Sequence, residues 1–146
     1  MALQLSTGLR NQLLDTGSFR SIFNLGFVKI YSGTVPASAD AAIIGTLLDT
    51  ISNNATGTGI TFASAAAGGV ITKTVAETWS GTSVAAGTAT HFRVVGASDT
   101  GVLSTTQPRL QGLVATAGAE LILPSTALLS ATLYTIDNFS FSIPTL

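Results

Sequence analysis

The chain has no cysteine and a single histidine, His91, so neither a disulfide framework nor a Cys/His metal cluster is available to hold it together. That usage fits a reducing compartment. Charge is scarce as well: 9% of residues are Asp, Glu, Lys or Arg, against about 25% in an ordinary soluble domain, and the net charge is −1. The mutual repulsion that keeps free proteins apart is therefore largely missing. No apolar run approaches the ~18 residues that a spanning helix requires, which argues against a membrane-crossing helix. One Trp, two Tyr and seven Phe are too few for the two aromatic girdles of a transmembrane barrel. The six basic residues, Arg10, Arg20, Lys29, Lys73, Arg93 and Arg109, are isolated and form no stripe that would follow a nucleic acid. No membrane and no nucleic-acid partner is expected.

What the chain does have is Thr, Ser, Ala and Gly in short runs, a composition suited to strands and turns. Its 146 residues suit one domain, and a domain of that size buries roughly 70% of its unfolded surface. Residues 1–26 differ from the rest. Ser6 is placed to cap a helix over Thr7 to Asp15, and Ser18 a shorter turn through Phe19, Ile22 and Phe23 to Gly26. The start, Met1-Ala2-Leu3-Gln4-Leu5, lacks the basic region of a secretion signal, so cytoplasmic synthesis without cleavage is expected. Leu9, Leu13, Phe19, Ile22 and Phe23 form an apolar stripe on this arm, a candidate interface for a twin subunit or another partner. The competing role for the stripe is to cover one open end of the domain.

From Phe27 the period changes to two. Strands are expected at Phe27–Tyr31, Thr46–Ile51, Gly59–Ala63, Val70–Ser80, Gly87–Val95, Arg109–Ala115, Glu120–Leu123, Ala131–Ile136 and Asn138–Ile143. A short helical stretch capped by Ser38 or Asp40 is expected to run into Ile43 and Ile44. This rhythm predicts an all-β fold: a jelly-roll-like antiparallel β-sandwich over residues 27–146, with residues 1–26 as a short helical arm of the same domain.

Catalysis finds little support. The carboxylates Asp15, Asp40, Asp49, Glu77, Asp99, Glu120 and Asp137 are spread along the chain rather than paired. A Ser-His-Asp arrangement would have to use His91, yet no Gly-x-Ser-x-Gly elbow accompanies it. On its strand His91 shares a face with Arg93 and reads as a partly exposed polar residue. The richest glycine run, Ala65 to Gly69, leads into the strand-like Val70-Ile71-Thr72 and reads as a hairpin turn rather than a phosphate cradle. No catalytic residue, cofactor or metal is expected.

Three stretches carry a family resemblance. They are Ile30-Tyr31-Ser32-Gly33-Thr34-Val35-Pro36-Ala37-Ser38-Ala39-Asp40-Ala41-Ala42 with Gly45 to Leu48, then Gly87 to Arg93, then Arg109 to Gly112 continuing to Gly118 to Leu121. Together they resemble small head-region proteins of tailed bacteriophages, in particular capsid cement or decoration proteins of the jelly-roll type. The resemblance implies a non-enzymatic virion protein that sits on the capsid exterior, binds the major capsid protein, bridges neighbouring capsomers and forms a homodimer or other homo-oligomer. A tail or neck component is the alternative, or an adhesion module binding glycans, for which Trp79, Tyr31 and Tyr134 are few and dispersed.

Overall fold

The computed structural model describes residues 3–143. Met1 and Ala2, which belong to the leader reading, and residues 144–146 lie outside it. Eleven strands and two helices follow in order: β1 (Gln4–Leu5), α1 (Thr7–Asp15), α2 (Phe19–Ile22), β2 (Phe27–Ser32), β3 (Leu47–Asn53), β4 (Val70–Thr72), β5 (Trp79–Thr82), β6 (Gly87–Val95), β7 (Arg109–Ala115), β8 (Leu121–Ile122), β9 (Ala127–Leu128), β10 (Leu133–Ile136) and β11 (Ser140–Ser142). The larger sheet runs β1-β7-β6-β2-β3-β5-β10, with β8 beside β7 and β9 beside β6, and β11 pairs with β4 in a second, two-stranded sheet. Among the described strands only β7 and β8 pair in parallel. The fold is thus mostly β, antiparallel and sandwich-like.

Period-two alternation gives the central strands two different faces. Val28, Ile30, Phe92, Val94 and Leu110 fall on one side by register and are fully buried. An aromatic layer packs over that side: Phe139 meets Phe92 edge-on at 5.9 Å, Phe62 meets Trp79 at 5.2 Å, and Phe19 of α2 stacks on Phe141 of β11 at 4.2 Å. Burying side chains of this size contributes about 1.5–3 kcal/mol each, the main driving force for closing the two layers.

The N-terminal helices belong to this core. Ser6 caps α1 by accepting from Leu9 N, and the same hydroxyl donates to Gln107 O and accepts from Arg109 N, which stitches the helix start to β7. β1 adds a short pairing to the same strand. Leu9, Phe19 and Phe23 are buried in the common cluster, and Leu13 and Ile22 pack against it. Residues 3–26 are therefore a layer of the domain and not a projecting arm.

Several strand expectations change in the structure. The expected Val70–Ser80 strand breaks into β4 and β5 because a turn closes at Glu77 N to Thr74 O, swinging the Glu77 carboxylate inward. There it accepts from Thr61 N, Thr61 Oγ1 and Trp79 Nε1 at 2.7–2.9 Å. Residues 59–63 make only the isolated bridges Gly26↔Ile60 and Phe62↔Lys73, and no strand. The two-residue strands β1 and β9 are too short for any period to announce them. Gly68 and Gly69, both with positive φ, sit between the mutually bonded Ala67 and Val70, giving a two-residue hairpin turn with the backbone twist the flanking strands need.

Candidate functional site

The second face of the central sheet carries polar side chains where a solvated face would be expected, and they are buried or half-buried. Gln4, Gln111, Arg93 and Lys29 stand in one cross-strand row over β1, β7, β6 and β2, with Arg109 and Tyr31 beside it on the same face. His91 and Arg93 are 0% and 1% exposed, so the expectation of a partly exposed His91 is corrected. What covers them is the loop after β2 together with the loop between β6 and β7.

Six consecutive carbonyls of the first loop accept hydrogen bonds from this polar layer. Gln111 Nε2 donates to Pro36 O at 2.9 Å and Gln4 Nε2 to Ala37 O at 3.3 Å. Arg93 Nη2 donates to Ser38 O and Ala41 O, and Arg109 Nη1 to Ala39 O and Asp40 O. The expected helical stretch into Ile43 and Ile44 is absent, and this is the physical reason: the carbonyls a helix would bond internally are drawn down by guanidinium and amide groups. Asp40 turns the other way and accepts from Thr7 N and Thr7 Oγ1, tying the loop to the first turn of α1.

The second loop is clamped by the same hands. The Arg109 guanidinium pairs with the Asp99 carboxylate, buried on both sides, and also donates to Val102 O at 2.7 Å. Asp99 Oδ1 accepts from Gly101 N, and Lys29 Nζ donates to Asp99 O at 3.1 Å. Backbone bonds then join the two loops, Ile43 N to Gly101 O and Ser104 N to Asp40 O, both 2.9 Å. On top of this framework Ile44, Val102 and Leu103 point their apolar side chains to solvent, 71%, 61% and 71% exposed.

The electrostatics of the layer follow from burial. His91 is pushed down to about 4 by desolvation, with Arg93 adding to it, so the ring is neutral near pH 7. Thr90 Oγ1 lies 2.8 Å from Gly33 O and 2.9 Å from His91 Nδ1. With the hydroxyl proton spent on Gly33, Nδ1 carries the ring proton and Nε2 is left as a lone pair without a partner. Burial lowers Arg93 to about 10, with Arg109 nearby as a second cause, and raises Tyr31 to about 12. Tyr31 stacks on His91 at 5.3 Å. Among the described residues no carboxylate bonds to His91, and the ring is sealed from solvent.

The five residues of the sequence-derived interface do not come together at an outer face. They line the inside of the domain, occupied by the chain's own strands. An open groove of about 730 Å³ lies elsewhere, bounded by Lys73, Glu120, Ile122, Pro124, Asp137 and Phe139. Its Lys73 donates to Glu77 O, and its Glu120 accepts from Leu113 N, so both groups serve the fold. Among the described residues no group of three or more His, Cys, Asp or Glu side chains is arranged to hold a metal ion.

The clamped loops were missed from sequence as a site, although part of the first loop and the two arginines that clamp it were singled out. Ile30 to Ala42, Gly87 to Arg93 and Arg109 to Gly112 were noted together in the sequence, and the fold brings them side by side. No family model, no curated protein and no solved structure matches the chain.

Proposed function

We propose that the chain is a non-enzymatic structural protein of a tailed-phage virion that binds the capsid exterior and bridges neighbouring capsomers, after synthesis in the host cytoplasm. The observation that carries the reading is the pair of clamped loops presenting Ile44, Val102 and Leu103. A binding surface gains affinity when its loops are ordered before contact, because the ordering entropy is then not charged to association. Two buried arginines and two glutamines do that ordering here. The resemblance to decoration proteins supplies the partner, the major capsid protein.

A ligand that binds only the assembled lattice stabilises it by mass action. Many modest contacts spread over adjacent capsomers act together. The surface suits this: of the charged residues only Arg10, Asp15, Arg20 and Asp137 are exposed, so few long side chains lose rotamer freedom on docking. The aromatics Trp79 and Tyr31 are buried, which removes them as stacking platforms for a sugar.

The test is co-sedimentation of the full chain with empty expanded heads and, separately, with tails. Stoichiometric binding to heads is expected, weakened at least tenfold by the Ile44→Asp, Leu103→Asp double variant. Binding to tails and not to heads would move the protein to the tail or neck; no binding to either would end the virion reading.

A further inference from the structure

We propose that the outer edge of β10 is a self-association site, pairing antiparallel with β10 of a second copy about a two-fold axis. The strand closes the large sheet: it pairs with β5 on one side and, among the described residues, with no strand on the other. Ser83 N bonds to Thr132 O just before β10, and ladder alternation from that point turns the N–H and C=O of Leu133 and Thr135 outward. Those groups form a template for another strand.

Three features make a second copy the occupant. Residues 126–136 and 78–90, which make up this edge and its neighbouring strand and loop, contain no charged side chain. In a two-fold contact every group near the axis meets its own kind, so an edge free of charge is compatible with itself where a charged one would repel. Centring the pairing on Tyr134 sets Leu133 opposite Thr135 of the partner subunit, the two residues whose backbone groups point outward, and leaves Asp137 opposite Ala131 of the partner subunit, clear of its own mate. Natural edges are guarded by Lys or Pro, and β10 reads Leu-Tyr-Thr-Ile with neither.

Apolar side chains flank the edge. Leu133 is 59% exposed, Leu129 64% and Val84 65%. They are held near one another, because Ala131 N and Thr132 O bond to Ser83 and Leu129 N bonds to the Tyr134 hydroxyl at 2.8 Å. Backbone bonds along the paired strands would set the register and these three side chains would add the apolar contact, the combination used in strand-addition recognition. This assigns a place for the self-association included in the virion reading once the N-terminal stripe is found inside the domain.

The test uses the purified full chain with no heads present, so its outcome is independent of capsid binding. Sedimentation velocity across the micromolar range is expected to show a monomer–dimer equilibrium. Amides of Leu133 and Thr135 should gain hydrogen-exchange protection as concentration rises. Leu133→Lys, which places a charge on the edge, should weaken dimerisation at least tenfold while the circular dichroism spectrum stays unchanged. Thr135→Pro removes an outward N–H without touching the bonds to β5 and should do the same. A chain monomeric throughout, or a dimer that survives both substitutions with unprotected Leu133 and Thr135 amides, overturns the proposal.

Discussion

Asp49 on β3 is a fully buried carboxylate with no side-chain partner, and only the Thr50 backbone beside it favours its charged form. Burial raises it from 3.8 to about 6. Its folded form therefore holds a proton more tightly than the unfolded chain, and the stability this lends is complete below pH 3.8 and lost as pH rises through 6. His91 runs the opposite way. Its folded value near 4 lies below the ordinary 6.5, so its contribution is complete above pH 6.5 and lost as pH falls toward 4. Between about pH 4 and 6 the two slopes oppose, and the parent chain should show a nearly flat stability profile. Replacing Asp49 by Asn should uncover the histidine slope, with stability falling in acid by on the order of 2 kcal/mol. His91→Gln should uncover the reverse, with stability rising from pH 6 to pH 4. Urea titrations at several pH values check this; identical profiles for parent and both variants would sink the account. Neither behaviour was legible in the sequence. Alternation correctly placed His91 and Arg93 on one face, but nothing local says that a loop residues away will seal that face.

At the scale of elements, capping and turn chemistry were readable because they are local. Ser6 and Ser18 cap the two helices where expected, and β6 and β7 fall on the anticipated residues. What failed was whatever long-range contacts decide: the break at Glu77, the absence of a strand at 59–63, and the loop held by Arg93 and Arg109. The N-terminal helices are the sharpest case, since their apolar stripe is equally suited to an external partner and to the chain's own strands. In the structure Leu9 and Phe23 are 0% exposed and Phe19 is 6% exposed. Removing three such side chains forfeits about 1.5–3 kcal/mol each in burial alone, and it uncovers Phe62 and Phe141 as well. Against a typical total of about 5–15 kcal/mol, a chain shortened to begin at Phe27 should lose its cooperative thermal transition. Calorimetry on the shortened and full chains decides it. A transition preserved within a few degrees would show that the helices are an appendage after all.

Across the whole molecule the scarcity of charge and the location of that charge have a joint consequence. Arg93, Arg109, Asp49 and Asp99 are spent inside, so the outer surface is nearly neutral and its exposed hydrophobic side chains, from Ile44 and Leu103 at one site to Val84 and Leu133 at another, carry no accompanying charge. The sequence announced the scarcity but not its distribution, because burial of an arginine depends on carbonyls supplied from distant loops. Contacts made by such a surface depend on apolar burial and backbone hydrogen bonds, neither of which is screened by simple salt. Raising sodium chloride from about 0.05 to 1 M shortens the Debye length to about 3 Å and would dissolve an association built on surface ion pairs. Here both self-association and head binding should change by less than about threefold over that range, while a salting-out anion such as sulfate should strengthen them. Sedimentation in the two salts separates the cases. A tenfold loss of either association in sodium chloride would mean that Arg10, Asp15, Arg20 or Asp137 takes part in docking and that the neutral surface is not the one that binds.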